Sequence, residues 1–182
     1  MNVSEKNIID LKTFTKTDET PVFSSGLYSW MMFLINLYNR VKKNLKIDFD
    51  SFMILQLVVS DYLYKTNKNG IKNFNQIEQS LNNSSDLFKE KRKVNIASIA
   101  EVLSLPRETV RRKVLYLSKI RLLDYTKSGI GIGSEYKTVF NEFVADTVSK
   151  MSQLIKKWEQ DGSLKKLLDF NKKIWKKMIA WT

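Results

Sequence analysis

A chain of 182 residues, 43% apolar and 12% aromatic, is long enough to bury one substantial core, and two prolines and six glycines leave long helices as the default. It contains no cysteine and no histidine, which excludes thiolate nucleophiles, disulfides, imidazole bases and zinc or haem ligation by these residues; no enzyme, cofactor or metal site is expected. The net charge of +12, from 31 Lys plus Arg against 19 Asp plus Glu, suggests an anionic partner.

In chain order, residues 1–23 carry mixed charge and no continuous apolar run, so they are expected to form a flexible arm and not a secretory signal. A helix is expected from Ser24 or Ser25 to about Leu45. Its residues Leu27, Trp30, Leu34, Leu37 and Val41 recur three and four apart and form a seam suited to a homodimer, with packing in the chain's own core as the other reading. Asp48 to Asp50 offer caps for a second helix, Ser51 to about Lys65, which is apolar around most of its circumference and therefore central. The apolar runs 27–38 and 52–64 are short of the roughly 20 residues a spanning helix needs, so no membrane span is expected. A cytoplasmic location is the expectation. Residues 66–94 read as an insertion: a loop, a short helix with Phe74, Ile77 and Leu81 on one face, and another loop.

Residues 95–140 carry the most informative pattern. Ile96, Ile99 and Leu103 give a short helix one apolar face, and Ala100 is small where a second helix must approach. Leu105 plugs the turn and Pro106 opens the next helix, where its missing N–H costs little. Val110, Val114 and Leu117 then define a buried side. The opposite side holds Glu108, Arg112, Tyr116 and Lys119, flanked by Thr109 and Arg111, and four of the chain's six arginines (Arg107, Arg111, Arg112, Arg121) fall within fifteen residues. By contrast, the 25 lysines accompany an Asn- and Ile-rich composition that AT-rich coding alone produces. Arginine forms paired hydrogen bonds to guanine O6 and N7, so Arg111 and Arg112 are the candidate base readers in a DNA major groove. Glu108 accepts from cytosine or, as the stronger reading, orients Arg112 four residues on. Arg107, Lys113 and Lys119 suit backbone phosphates. Residues 121–125 are expected to start a strand, the KSGIGIG glycines to turn, and residues 135–140 to return as a second strand, with Lys127 and Lys137 along phosphates. The glycine run lacks the Gly-Lys-Ser/Thr ending of a nucleotide-binding loop.

The segment IAEVLSLPRETVRRKVLYLSKIRLL resembles the helix-turn-helix of bacterial winged-helix transcription regulators, and its position between long helices is similar to the MarR-type arrangement. That resemblance implies a mainly α fold with a small β-wing and flanking helices that dimerise, hence double-stranded DNA as partner and a small-molecule effector held between the dimerising and DNA-binding parts. Tyr28, Trp30, Phe52 and Tyr62 are candidates to line such a pocket, with core packing as the stronger reading. Ser104 stands where glycine is usual, Pro106 where a capping serine is usual, Lys113 where an apolar residue is frequent, and the Asp-x-Arg of the MarR wing is absent. After residue 140, Phe143, Val144, Val148, Met151, Leu154, Ile155 and Trp158 form a stripe ending near Gly162, and a final helix runs from Ser163 to about Ala180. The paired lysines between Lys156 and Lys177 read as a solvated face. The alternative function is a winged-helix module for protein contacts within an assembly, without sequence-specific DNA binding.

Overall fold

The computed structural model describes residues 22–68, 70–82 and 94–169. The chain is mainly helical with one small antiparallel hairpin. Helix α1 (Val22–Arg40) enters a π-helical turn (Val41–Leu45) and is followed by α2 (Phe49–Lys68), α3 (Phe74–Asn82), α4 (Ile96–Leu103) and α5 (Arg107–Lys119). Strands β1 (Leu123–Thr126) and β2 (Gly129–Ile132), α6 (Tyr136–Val139), a second π-helical turn (Phe140–Val144) and α7 (Ala145–Gln160) complete the named elements. Residues 163–169 are again helical. Of the expected arm, residues 22 and 23 open α1 and the rest lies outside the described residues, as do the final helix beyond residue 169 and Lys91-Arg92-Lys93, a basic run that by sequence could add a phosphate contact at the end of the insertion.

Among the described residues, those within 34–151 form one compact unit, and 22–33 with 152–169 form another. Helix α2 is the hub of the larger unit, packing against α4, α5 and β2. Ile54 and Leu55 are fully buried and Val58 nearly so, each contributing about 1.5–3 kcal/mol of apolar burial. Its start is fixed by Asp48, whose Oδ1 accepts from the Ser51 N–H at 2.8 Å. The short helix α3 opens with a reciprocal capping box between Asn73 and Gln76. It docks through Leu81 and Ile77, and Phe74 stacks on Phe140 at 4.7 Å.

Helices α4 and α5 each end in the same reverse turn. After α4, Ser104 is left-handed at φ 52°, its N–H donates to Glu101 O and the Leu105 N–H donates to Ala100 O. After α5, Arg121 is left-handed at φ 60°, its N–H donates to Ser118 O and the Leu122 N–H to Leu117 O. Both are Schellman motifs, in which orphan carbonyls are satisfied by the chain turning back. The expected buried faces are those observed: Ile99, Val110, Val114 and Leu117 have no exposed surface, and Ala100 sits at the α4–α5 contact.

The hairpin differs from its expected form. Its return strand is the glycine run itself, pairing Leu123 with Ile132 and Thr126 with Gly129. Gly129, at φ 121°, lets a two-residue connection, Lys127-Ser128, close the turn. Ile130 and Ile132 then point inward at alternate positions. Residues 136–139, expected as strand, form α6, with Tyr136 buried and its N–H donating to Gly133 O at 3.2 Å. The Ile130 N–H also donates to Val94 O at 2.8 Å, tying the hairpin to the residue two before α4; the sequence held no signal for this bridge.

In the larger unit, the guanidinium of Arg40 lies 5.0 Å from the Phe143 ring centroid and bonds Asp146 and Thr147, so α1 ends against the start of α7. Val41 is 1% exposed and Leu37 packs on the core. Two members of the expected dimer seam are therefore core residues: Leu37 and Val41, four apart on one helix face, meet the core of the larger unit. In the smaller unit, Trp30 stacks on Phe33 and lies 6.2 Å from Trp158. Trp30, Leu27, Gly26, Trp158, Ser163 and Leu167 line a cavity of about 340 Å³. Of the four aromatic residues considered for an effector pocket, Phe52 and Tyr62 belong to the core of the larger unit and Tyr28 is 66% exposed. No helix among the described residues is long and apolar enough to cross a membrane.

Candidate nucleic-acid interface

Helix α5 is held by Val110, Val114 and Leu117, so rotation of 3.6 residues per turn leaves Glu108, Arg111, Arg112, Leu115, Tyr116 and Lys119 facing solvent. Pro106 precedes it in extended conformation at φ −58° and ψ 136°, and its carbonyl accepts the Val110 N–H at 3.1 Å. The helix therefore starts without a side-chain cap, and its first turn, with Arg107 exposed, is open to solvent.

The two adjacent arginines have different surroundings. Arg111 forms a bidentate pair with Glu108, both bonds at 2.8 Å. The pairing keeps the Glu108 carboxyl below its ordinary pKa through the hydrogen bond from Arg111, with a smaller electrostatic contribution from Arg112. Sequence spacing favoured Arg112 as the partner of Glu108; the chain uses the i, i+3 pair instead. Among the described residues Arg112 has no ion pair or hydrogen-bond partner, and it remains exposed.

Lys113 is not a free cation. Its ammonium bonds Asp48 at 2.5 Å and lies 3.4 Å from Asp50, with its side chain 18% exposed. Its stem is covered and its ammonium faces Asp48, just before α2, and Asp50 in the first turn of α2. Asp48 is pulled in two directions. Partial burial raises its pKa, but the hydrogen bonds from Lys113 and from Ser51 outweigh that and hold it below the ordinary value.

Between α5 and the start of α2 lies a cleft of about 420 Å³, lined by Lys46, Ile47, Asp48, Ser51, Thr109, Arg112, Lys113 and Tyr116. Lys46 is left-handed at φ 54°, exposed, and accepts a long hydrogen bond from Tyr116 Oη on its backbone carbonyl at 3.4 Å. Local sequence gave no reason to select Lys46, which stands 66 positions before Arg112; only the packing of α2 on α5 joins them.

Helix α5 also packs on β1, and Tyr125 is close enough to contribute electrostatically to Arg111, whose pKa is raised chiefly by the Glu108 bond. Lys127 projects at the hairpin tip, exposed. Lys119 is exposed in the last turn of α5, whereas Lys137 lies on α6 and not on a return strand. The structure thus brings Glu108, Thr109, Arg111, Arg112, Lys113 and Tyr116 onto one helix, flanked by the hairpin and by the Lys46 turn. Among the described residues, no group of three Asp or Glu side chains is placed to hold a metal ion. Comparison with known proteins gives no match to a family model, to a curated protein or to a solved structure.

Proposed function

We propose that this chain is a sequence-specific double-stranded DNA-binding regulator, built on a winged helix-turn-helix with α5 as the recognition helix. The observation that carries the reading is the exposed face of α5. It is an uncapped helix start followed by Arg107, Arg111 and Arg112, with Arg112 unpaired among the described residues, between a hairpin and a lysine-bearing turn. A helix with such a face fits the major groove, where arginine donors meet guanine acceptors and the flanking elements meet phosphates. The bridge from Val94 to Ile130 supports treating α2, α4, α5 and the hairpin as one module.

The regulator acts as a homodimer in this reading. Its support is the apolar surface left open: Leu34, Ile35, Tyr38, Phe49 and Met53 in the larger unit, and Leu27, Tyr28 and Met31 in the smaller, are each more than a third exposed. No charged residue occurs from Val22 to Asn39, so a surface of this kind is costly to leave in water.

A second reading, a winged-helix module for protein contacts, is favoured by Val102 and Leu115, which are 63% and 43% exposed on α4 and α5. Selection of bound sequences from random duplex DNA at a fixed salt concentration separates the two. The DNA reading expects an enriched two-fold symmetric motif with half-sites about one helical turn apart. Absence of any enriched motif favours the protein-contact module.

A further inference from the structure

The cleft beside α5 carries chemistry that the recognition face does not use. Lys46 enters it from a turn that no local pattern marked, and two hydroxyl donors, Thr109 and Tyr116, line it from α5. The Tyr116 hydroxyl is committed only to a long 3.4 Å bond with Lys46 O. Of the two carboxylates nearby, Asp48 lines the cleft and pairs with Lys113, while Asp50 lies 3.4 Å from the same ammonium, so Lys113 offsets one of the two negative charges. With Lys46 and Arg112 added, three cations stand against two carboxylates, and the cleft mouth keeps a net positive charge.

We infer that this cleft seats one backbone phosphate of the bound duplex, held by the Lys46 ammonium and the Tyr116 and Thr109 hydroxyls. The inference rests on the DNA-binding reading above. A phosphodiester suits the site because it presents two anionic oxygens to one cation and two neutral donors, and because phosphates border the groove in which α5 would lie. Its consequence is positional. Arg112 lies at the mouth of the same cleft, so a phosphate seated against Lys46 fixes the depth at which Arg112 meets base edges. Lys113 in turn is a positioning residue: it offsets part of the negative charge of Asp48 and Asp50, which would otherwise repel the phosphate more strongly.

The test is duplex binding by fluorescence anisotropy between 50 and 300 mM KCl, using a selected sequence and an unrelated one. Each phosphate contact contributes about 0.9 to the slope of log affinity against log salt, which corresponds to roughly fivefold in affinity near 0.15 M. Lys46→Gln is expected to lower that slope by about one and to weaken both duplexes by that factor, with Lys46→Arg restoring binding. Lys113→Met is expected to weaken binding, and adding Asp48→Asn and Asp50→Asn in the same chain to recover it, since Asn still caps α2. Unchanged slope and affinity in Lys46→Gln, with a wild-type chain that binds duplex, would overturn the phosphate seat and leave the DNA reading standing. A triple variant as weak as Lys113→Met would make Lys113 the contact and overturn the seat as described. A wild-type chain with no salt-dependent duplex binding would overturn both readings.

Discussion

Replacing Gly133 by alanine tests the connection between α5 and the hairpin. A Cβ at this position would stand 2.2 Å from Arg121 O, 2.7 Å from Arg121 C and 2.8 Å from Leu122 C. All three are backbone atoms, about 1 Å too close, and none can swing aside as a flexible side chain would. The same stretch is pinned by Gly133 N–H donating to Leu122 O and Glu135 N–H donating to Arg121 O, both at 3.0 Å. Arg121 is already left-handed. Relief of the overlap therefore requires separating α5 from the hairpin, at about 1–3 kcal/mol for overpacking and about 1 kcal/mol for each weakened hydrogen bond. A loss of roughly 3–5 kcal/mol lowers the melting midpoint of a chain this size by about 10 °C. Far-UV circular dichroism is the suitable probe, because all four tryptophans lie outside residues 34–151 and their emission reports elsewhere. Gly70→Ala is the control: at φ 110° with nothing within 4 Å, it carries backbone strain alone, on the order of 1 kcal/mol. A Gly133→Ala midpoint within about 2 °C of wild type would refute the close approach and the strand pairing built on it.

Other perturbations follow from the same geometry. Ser104→Gly removes the cost of a left-handed serine at φ 52°, set against greater freedom of the unfolded chain; urea titration is expected to show a gain of up to about 1 kcal/mol. A clear loss would show that the serine hydroxyl is needed in the turn. Burial pushes the Tyr136 phenol up to about 12 from an ordinary 10. Its neutral form is favoured on folding, so the stability it contributes is complete below pH 10 and lost as pH rises toward 12; Tyr136→Phe should flatten that part of a stability–pH profile. Asp48 behaves in the opposite sense. Its pKa is lowered on folding by Lys113 and Ser51 against a burial effect that raises it, so its contribution is present above the ordinary carboxylate pKa near 4 and is lost as pH falls through the folded value. Asp48→Asn should remove that acid-side loss, and an unchanged profile would place the acid sensitivity elsewhere.

The parts of the fold that were legible in the sequence are those governed by period and cap. Val110, Val114 and Leu117 announce one face of α5 by spacing alone, and Asp48 stands where a helix start needs an acceptor. Glycine usually marks a turn, which is what the sequence suggests for this run; in the structure Gly129 and Gly131 lie in the strand, since Ile130 and Ile132 supply the inward face and Thr126 to Gly129 already closes the loop. Leu37 and Val41 share one apolar stripe with Leu27, Trp30 and Leu34, and spacing alone does not say which part of it meets the chain's own core; Leu37 and Val41 do, whereas Leu34 is more than a third exposed. The candidate site was legible along α5 and not across it. Which arginine Glu108 holds is a choice between i+3 and i+4 that side-chain packing decides, and the pairing of Lys113 with Asp48 spans 65 residues.

The proposed recognition role of α5 is tested most directly by Arg112→Ala measured on a duplex obtained by selection from random sequence, with Lys156→Ala/Lys157→Ala as the surface-charge comparison. The guanidinium of Arg112 is exposed and unpaired among the described residues, so its removal is expected to cost about 1–3 kcal/mol and to relax preference at one base position per half-site. The lysine pair, on the exposed face of α7, is expected to weaken binding little and uniformly. Equal losses from both substitutions, with base preference unchanged, would contradict readout by this helix.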